Sequence, residues 1–316
     1  MINKAKKILF FLIKLSIVSG AFYFLYTKLT QHHHLNWQQL TALVERQFNI
    51  WMLLLILSLF TIANWTLEGL KWQNLVHVIK PISLANAIEQ SLGSLTASLI
   101  TPNRIGEYGA KAIYYKKGNR RKVMLLNLIG NMTQMGVTLM FGLLGLIGIS
   151  IFLPLPKKGY PLPEIAAMIA FITLLFSVIF LKYNRKIHGF YLQKIVEFIK
   201  NRPSKLKIKN VLFSLLRYLI FSHQFFFLAI VFNVEAGYFT LMALIFSTYI
   251  LASIIPALPF FDWLIKGSAA LYLFTLIHTD EAVIITITML MWILNFGIPA
   301  MLGSFFVLNF NVNKQE

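Results

Sequence analysis

Nine apolar runs, divided by short polar or basic stretches, limit what this 316-residue chain can fold into. They cover residues 8–26, 50–67, 85–100, 123–153, 162–181, 211–232, 238–258, 263–277 and 282–308. Inside a hydrocarbon layer every backbone N–H and C=O must find a partner within the protein, so runs of this length are spanning helices or helical hairpins. The composition agrees, with 58% hydrophobic, 15% aromatic and only 13% charged residues, far from the balance of a soluble domain. The chain is therefore expected to be an all-α polytopic membrane protein. Its net charge of +18 does not argue for nucleic acid, because Lys and Arg cluster between apolar runs, as they do in cytoplasmic loops. There is no cysteine, and hence no disulfide or thiol chemistry. The basic start "MINKAKK" before the first run would suit a signal peptide. That run is long enough to cross, and more spans follow, so it is expected to be an uncleaved first span.

Loop charge gives an independent count of crossings. Lys4, Lys6 and Lys7 place the N-terminus in the cytoplasm, and the loop 27–49, with only Lys28 and Arg46, lies outside. Lys71 and Lys80 bring the chain back in, and so do Arg104, Lys111, Lys116, Lys117, Arg120, Arg121 and Lys122. Both flanks of the run 85–100 are thus cytoplasmic. As a helix that run reaches only about 24 Å against a core of about 30 Å, and it is rich in small polar residues ("SLGSLTAS"). It is expected to dip in and return as a re-entrant hairpin that turns at residues 101–106. The loop 182–209 carries nine Lys or Arg and is cytoplasmic, whereas "NVEAGY" and "IHTDEAV" have none and lie outside. Residues 238–277 therefore form a second hairpin opening the other way, either re-entrant or as two crossing helices, and the C-terminus ends inside.

The expectation is about six full spans plus two re-entrant or short-helix hairpins in an inverted-topology repeat, a design used by secondary transporters. All of 1–316 is one membrane domain, with pseudo-repeats of about 1–155 and 156–316. "GAKAIYY" from Gly109 and "GSAALYL" from Gly267 align at an offset of 158, and "ASLI" at Ala97 resembles "ASII" at Ala252.

The segment "TPNRIGEYGAKAIYY" resembles the TPGRxGExxRAxxL signature of the lysylphosphatidylglycerol synthase transmembrane-region family, also called flippase-like. "IIPALPFFDWLIKGSAALYL" is similar to that family's second signature, with Phe260 and Phe261 where glycines are common and Lys266 and Gly267 near the usual Arg and Glu. The resemblance implies a multi-span protein of the bacterial cytoplasmic membrane. Members fused to a cytoplasmic aminoacyltransferase domain make and flip aminoacylated phospholipid. This chain ends eight residues after its last apolar run, so synthase activity is not expected of it.

Candidate substrate-binding residues are the ionisable and amide groups at membrane depth, which are costly there and usually paired or functional. Arg104, Glu107 and Lys111 share a face if the chain is helical from 104. Arg104 and Lys111 suit a lipid phosphate with Glu107 orienting Arg104, or the three pair to hold the hairpin. Asp262 and Lys266, at i and i+4, match them in the second hairpin. Asn127, Asn131 and Gln134 form a polar stripe that either bonds between helices or lines a path. His223 is either a titrating group or a hydrogen-bonded histidine in the core. Arg217 is expected to snorkel towards the basic loop, Glu89 to be an interfacial, solvated carboxylate, and His32 to His34 to be solvated. No nucleotide, hydrolase or metalloprotease motif occurs, so neither cofactor nor metal is expected. The reading is a flippase or transporter of an anionic phospholipid or lipid-linked compound. An intramembrane lipid-modifying transferase and a non-catalytic accessory subunit of an envelope-lipid pathway are the alternatives, and homo-oligomerisation is left open.

Overall fold

A computed structural model describes residues 49–99, 101, 104–153, 203–254 and 262–310. The runs 8–26 and 162–181, most of the basic loop 182–209 and the three consecutive histidines lie outside the described residues. Eight helices follow in order: α1 (Ile50–Val76), α2 (Leu84–Ala97), α3 (Gly106–Ile113), α4 (Arg120–Phe152), α5 (Ser204–Val231), α6 (Tyr238–Ile254), α7 (Asp262–Phe274) and α8 (Glu281–Asn309). No strand occurs among the described residues. Four helices, α1, α4 with its preceding 3-10 turn, α5 and α8, are long and apolar enough to cross a membrane. The protein is a multi-pass, all-helical membrane protein.

Local chemistry sets the helix ends. The Asn49 side chain caps α1 at the Trp51 amide (2.9 Å), Ser83 caps α2 after Pro81, and Asp280 caps α8 at the Ala282 amide (2.8 Å). Helix α1 runs nine residues past the end of its apolar run, which carries Glu68 and Lys71 into the bundle. Ser222, Thr248, Thr288 and Ser304, all on buried faces, donate their hydroxyls to helix carbonyls one turn back. Those groups thus need no water. Inside α8 a π turn spans Ile293–Gly297 just ahead of Pro299. Proline at 299 cannot donate to the carbonyl four residues back, and that freed Asn295 oxygen accepts Trp65 Nε1 at 3.2 Å. The outward faces of α1 (Leu55, Leu59, Ile62), α4 (Leu144, Ile147, Ile151) and α8 (Leu302, Phe305) are apolar and exposed, as a lipid-facing surface is.

The two short hairpins pack across the chain as well as beside their sequence neighbours. Helix α2 lies on the C-terminal half of α8, and α6 lies on α4. Both contacts are close enough to require glycine. A Cβ at Gly145 of α4 would sit 2.7 Å from Ala243 O and 2.8 Å from Phe246 Cβ, and one at Gly303 of α8 would run into Leu92 O and Thr96 Oγ1. Thr96 Oγ1 uses the approach to donate to Ala300 O at 2.6 Å. Replacing Gly303 or Gly145 by Ala should cost about 1–3 kcal/mol of stability, read as a lower thermal midpoint in detergent. Gly136→Ala on the open face of α4 should not lower it.

Candidate functional site

The turn that ends the first hairpin helix aims Arg104 inward. Thr101 Oγ1 donates to Ser98 O (2.8 Å) and accepts from the Gly106 amide (2.9 Å), while Arg104 takes a left-handed backbone conformation at φ 57°. Helix α3 starts two residues later, so Glu107, one turn into the segment, points the same way.

There they meet a cavity of about 460 Å³ walled by every described helix except α2. Arg104, Glu107 and Tyr108 come from the first hairpin, Asn131 and Gln134 from α4, and Asp262 and Lys266 from α7. Asn64 of α1, Arg217 of α5, Tyr249 of α6 and Asn295 of the π turn add to the polar lining. Lys266 Nζ pairs with Asp262 Oδ2 at 2.6 Å and lies over the Tyr249 ring, 5.9 Å from its centroid. That pair is open to the cavity, the lysine side chain being 38% exposed.

Behind Arg104 and Arg217 lies a sealed cluster of charge. Glu107 Oε1 holds Lys111 Nζ at 2.8 Å, and its other oxygen lies 3.6 Å from Arg104 Nη2. Lys111 is only 1% exposed, donates to Asn127 Oδ1 at 2.8 Å and covers the Trp72 ring at 4.5 Å. Glu68 Oε2 holds Lys71 Nζ at 2.7 Å and Arg217 Nη1 at 2.6 Å, and Glu68 Oε1 stands 3.8 Å from Lys111. Arg217 Nε donates to Asn64 Oδ1 (2.9 Å). From there a chain of amides continues through Asn295 to Gln224 and Thr61. Four cations and two carboxylates thus share one network, buried except at Arg104, and its excess is positive.

Several sequence expectations are placed by this geometry. Arg104, Glu107, Asp262, Lys266, Asn131 and Gln134 converge on the cavity, although the two hairpins are far apart in sequence. Lys111 and Asn127 stand behind its wall, bonded to each other. The stripe on α4 bonds between helices at every step: Asn131 Nδ2 donates to Tyr108 Oη (3.2 Å) and Gln134 Nε2 to Ser214 O (3.4 Å). His223 lies elsewhere. Its Nδ1 donates to Leu219 O (2.8 Å), and its Nε2 lies 3.0 Å from Tyr238 Oη. Arg217 does not snorkel, because Glu68 and Asn64 draw its guanidinium into the bundle. Lys71 is likewise no loop residue, its side chain being 3% exposed beside Glu68.

The model of the lysylphosphatidylglycerol synthase TM region matches residues 11–303 of the chain. The chain belongs to this family. No curated protein and no solved structure matches it. In this member of the lysylphosphatidylglycerol synthase TM region, the signature-like segment after α2 supplies both layers of the site: Arg104 and Glu107 to the cavity, Lys111 to the sealed cluster. Glu68 was not singled out by sequence, and Lys71 and Arg217 were read there as a loop marker and a snorkelling side chain. The signal was present in the i, i+4, i+7 spacing of Asn64, Glu68 and Lys71, one polar face continuing an apolar helix.

The two layers differ in what a substitution should do. Lys111→Met strands Glu107 and Asn127 in a dry setting and should destabilise the protein by about 3–5 kcal/mol. Arg104→Gly leaves Glu107 its lysine and relieves a left-handed backbone, so stability should hold or rise by up to about 1 kcal/mol. Thermal unfolding of the two variants in detergent separates these outcomes.

Proposed function

We propose that this protein is a flippase or transporter that carries an anionic lipid or lipid-linked compound across a bacterial cytoplasmic membrane. The observation that carries the reading is the cavity itself, a polar chamber inside an apolar bundle with Arg104, Arg217 and Lys266 on its walls. Its volume falls within the range of small-ligand sites, about 300–1,000 Å³. That is headgroup size, so the acyl chains of a lipid would stay outside, against the apolar faces of the helices. Arg104 and Arg217 present planar donors suited to a phosphate. Each is already half-paired with a carboxylate that an incoming phosphate can replace without leaving that carboxylate bare, because Lys111 and Lys71 remain.

The packing supports an inverted repeat as the scaffold, with α1 to α4 in one half and α5 to α8 in the other. Each half lends its hairpin to the other's long helix, α2 to α8 and α6 to α4. The glycines at those two contacts, Gly145 and Gly303, are 158 positions apart, as are Gly109 and Gly267. In this reading both termini are cytoplasmic and the hairpins open to opposite sides. The chain has no cysteine, so single cysteines report cleanly. Those at Lys80 and Lys116 should be labelled from the cytoplasmic side, and those at Gly237 and Thr279 from outside; opposite-side labelling of Lys80 and Lys116 would refute the first hairpin.

Function is tested in vesicles carrying a fluorescent phosphatidylglycerol in one leaflet. The full chain should equilibrate the label between leaflets. Arg104→Gly and Lys266→Met should each slow this about tenfold or more, as expected for losing one charge-assisted contact of about 1.5–3 kcal/mol, with the thermal midpoint preserved. Full rates in both folded variants would remove the cavity from the path.

A further inference from the structure

Lys71 serves the proposed function only as the cation that stays with Glu68, and its surroundings are unlike those of the other cations. The groups around it are accounted for helix by helix. Its own α1 supplies Glu68, α3 supplies Glu107 and Lys111, with Arg104 just ahead of it, and α5 supplies Arg217. Helix α4 faces it with Gly130 and brings only the amide of Asn127 to the cluster. The α2 carboxylate, Glu89, stands apart beside Tyr114.

Within that ring each carboxylate joins one cavity arginine to one sealed lysine: Glu107 links Arg104 to Lys111, and Glu68 links Arg217 to Lys71. Lys111 has a further acceptor in Asn127 and an aromatic face in Trp72. Lys71 has neither. Among the described residues its one oxygen contact is Glu68 Oε2 at 2.7 Å, an oxygen that Arg217 also holds at 2.6 Å. With every group ionised, the cluster carries two uncompensated positive charges; Arg104, half-exposed, accounts for one, and the other lies away from water, which is unfavourable. An arginine cannot shed its proton, whereas a desolvated lysine can.

We propose that Lys71 is a neutral amine while the cavity is empty, and that an anionic headgroup arriving at Arg104 and Arg217 draws one proton onto Lys71 Nζ. The proton comes from bulk water and is taken by the amine lone pair, and no other bond is made or broken. The cluster together with its ligand then carries one positive charge before binding and one after it. A monoanion and a proton therefore enter as an electroneutral pair, and a proton gradient becomes a source of energy for transport. The inference rests on the anion-carrying function proposed above.

The sign of the linkage is fixed. Binding that takes up a proton is stronger at low pH, so Kd rises with pH by up to about tenfold per unit. The full chain in detergent is titrated by calorimetry with short-chain phosphatidylglycerol, a phosphodiester that does not itself titrate between pH 6 and 9. Two buffers of different ionisation enthalpy give the proton count. The expected result is about one proton taken up per lipid, with the pH dependence of Kd to match. Lys71→Arg, permanently charged, and Lys71→Met, permanently neutral, should each bind with no proton uptake and a flat Kd; either variant suffices if the other does not fold. Wild-type binding without proton uptake overturns the inference and leaves the transport reading standing. Uptake that persists in a Lys71 variant overturns the assignment to this residue. Absence of any binding by the wild type overturns both. Equal affinity for the deacylated headgroup, glycerophosphoglycerol, with the same proton count keeps the proton and reassigns the ligand to a water-soluble phosphodiester.

Discussion

Two carboxylates in an apolar bundle govern the arrangement of the helices around them. An ionised Glu68 or Glu107 is far too costly to bury alone, so each needs cations at contact distance, and those cations must come from other turns or other helices. Glu68 on α1 reaches Arg217 on α5 and Lys111 on α3, and Lys111 in turn bonds Asn127 on α4. One network thus fixes the azimuth of four helices whose outer faces, being uniformly apolar, distinguish poorly between one rotation and another. In lipid, where apolar burial between helices adds little net drive, polar contacts and close glycine approaches are what specify a unique packing.

The same network accounts for the cavity. Helices held by charge pairs and by Asn64, Asn295 and Gln224 cannot also interdigitate large apolar side chains along that seam, and the space left over is lined by the ends of the pairs. Pro299 and the π turn before it act in the same direction. They release the Asn295 carbonyl to Trp65 and turn the Asn295 side chain towards α1 and α5. A polar chamber at membrane depth is therefore a consequence of how this bundle is held together, and its positive excess follows from having more buried cations than carboxylates.

Much of the described fold was legible in the sequence. The runs 85–100 and 263–277 became the short helices α2 and α7, and the break at 101–106 fell between α2 and α3, because small polar residues and a proline are incompatible with a lipid-facing span. The convergence of Arg104, Glu107, Asp262 and Lys266 was legible in part, since ionisable residues at depth must meet something. Glu68 and Lys71 were missed for a physical reason: the hydropathy signal stops at Leu67 while the helix continues to Val76, and a lysine beyond an apolar run looks like a loop marker. Arg217 was assigned to the interface because snorkelling is the usual fate of a lone arginine in a span; only the three-dimensional position of Glu68 makes the inward direction cheaper. The packing of α2 on α8 and of α6 on α4 leaves no trace in one-dimensional periodicity, although its glycines do.

The two hairpins are not equivalent, and their difference bears on how a bundle of this design could move. The first delivers its charged residues into a closed network with partners on three other helices, so displacing α3 would break several buried contacts at once. The second presents Asp262 and Lys266 as a pair complete within one helix, both side chains well exposed to the cavity. An internal pair of that kind travels with its helix and leaves no orphaned charge behind. If the chamber opens alternately to the two sides, the smaller electrostatic penalty therefore lies in moving α7 with α6 against a fixed α1–α3–α4–α5 core. The contact between α6 and the glycine face of α4, where Ala243, Phe246 and Ile250 meet Gly142, Gly145 and Gly148, is the surface on which such a motion would slide or break.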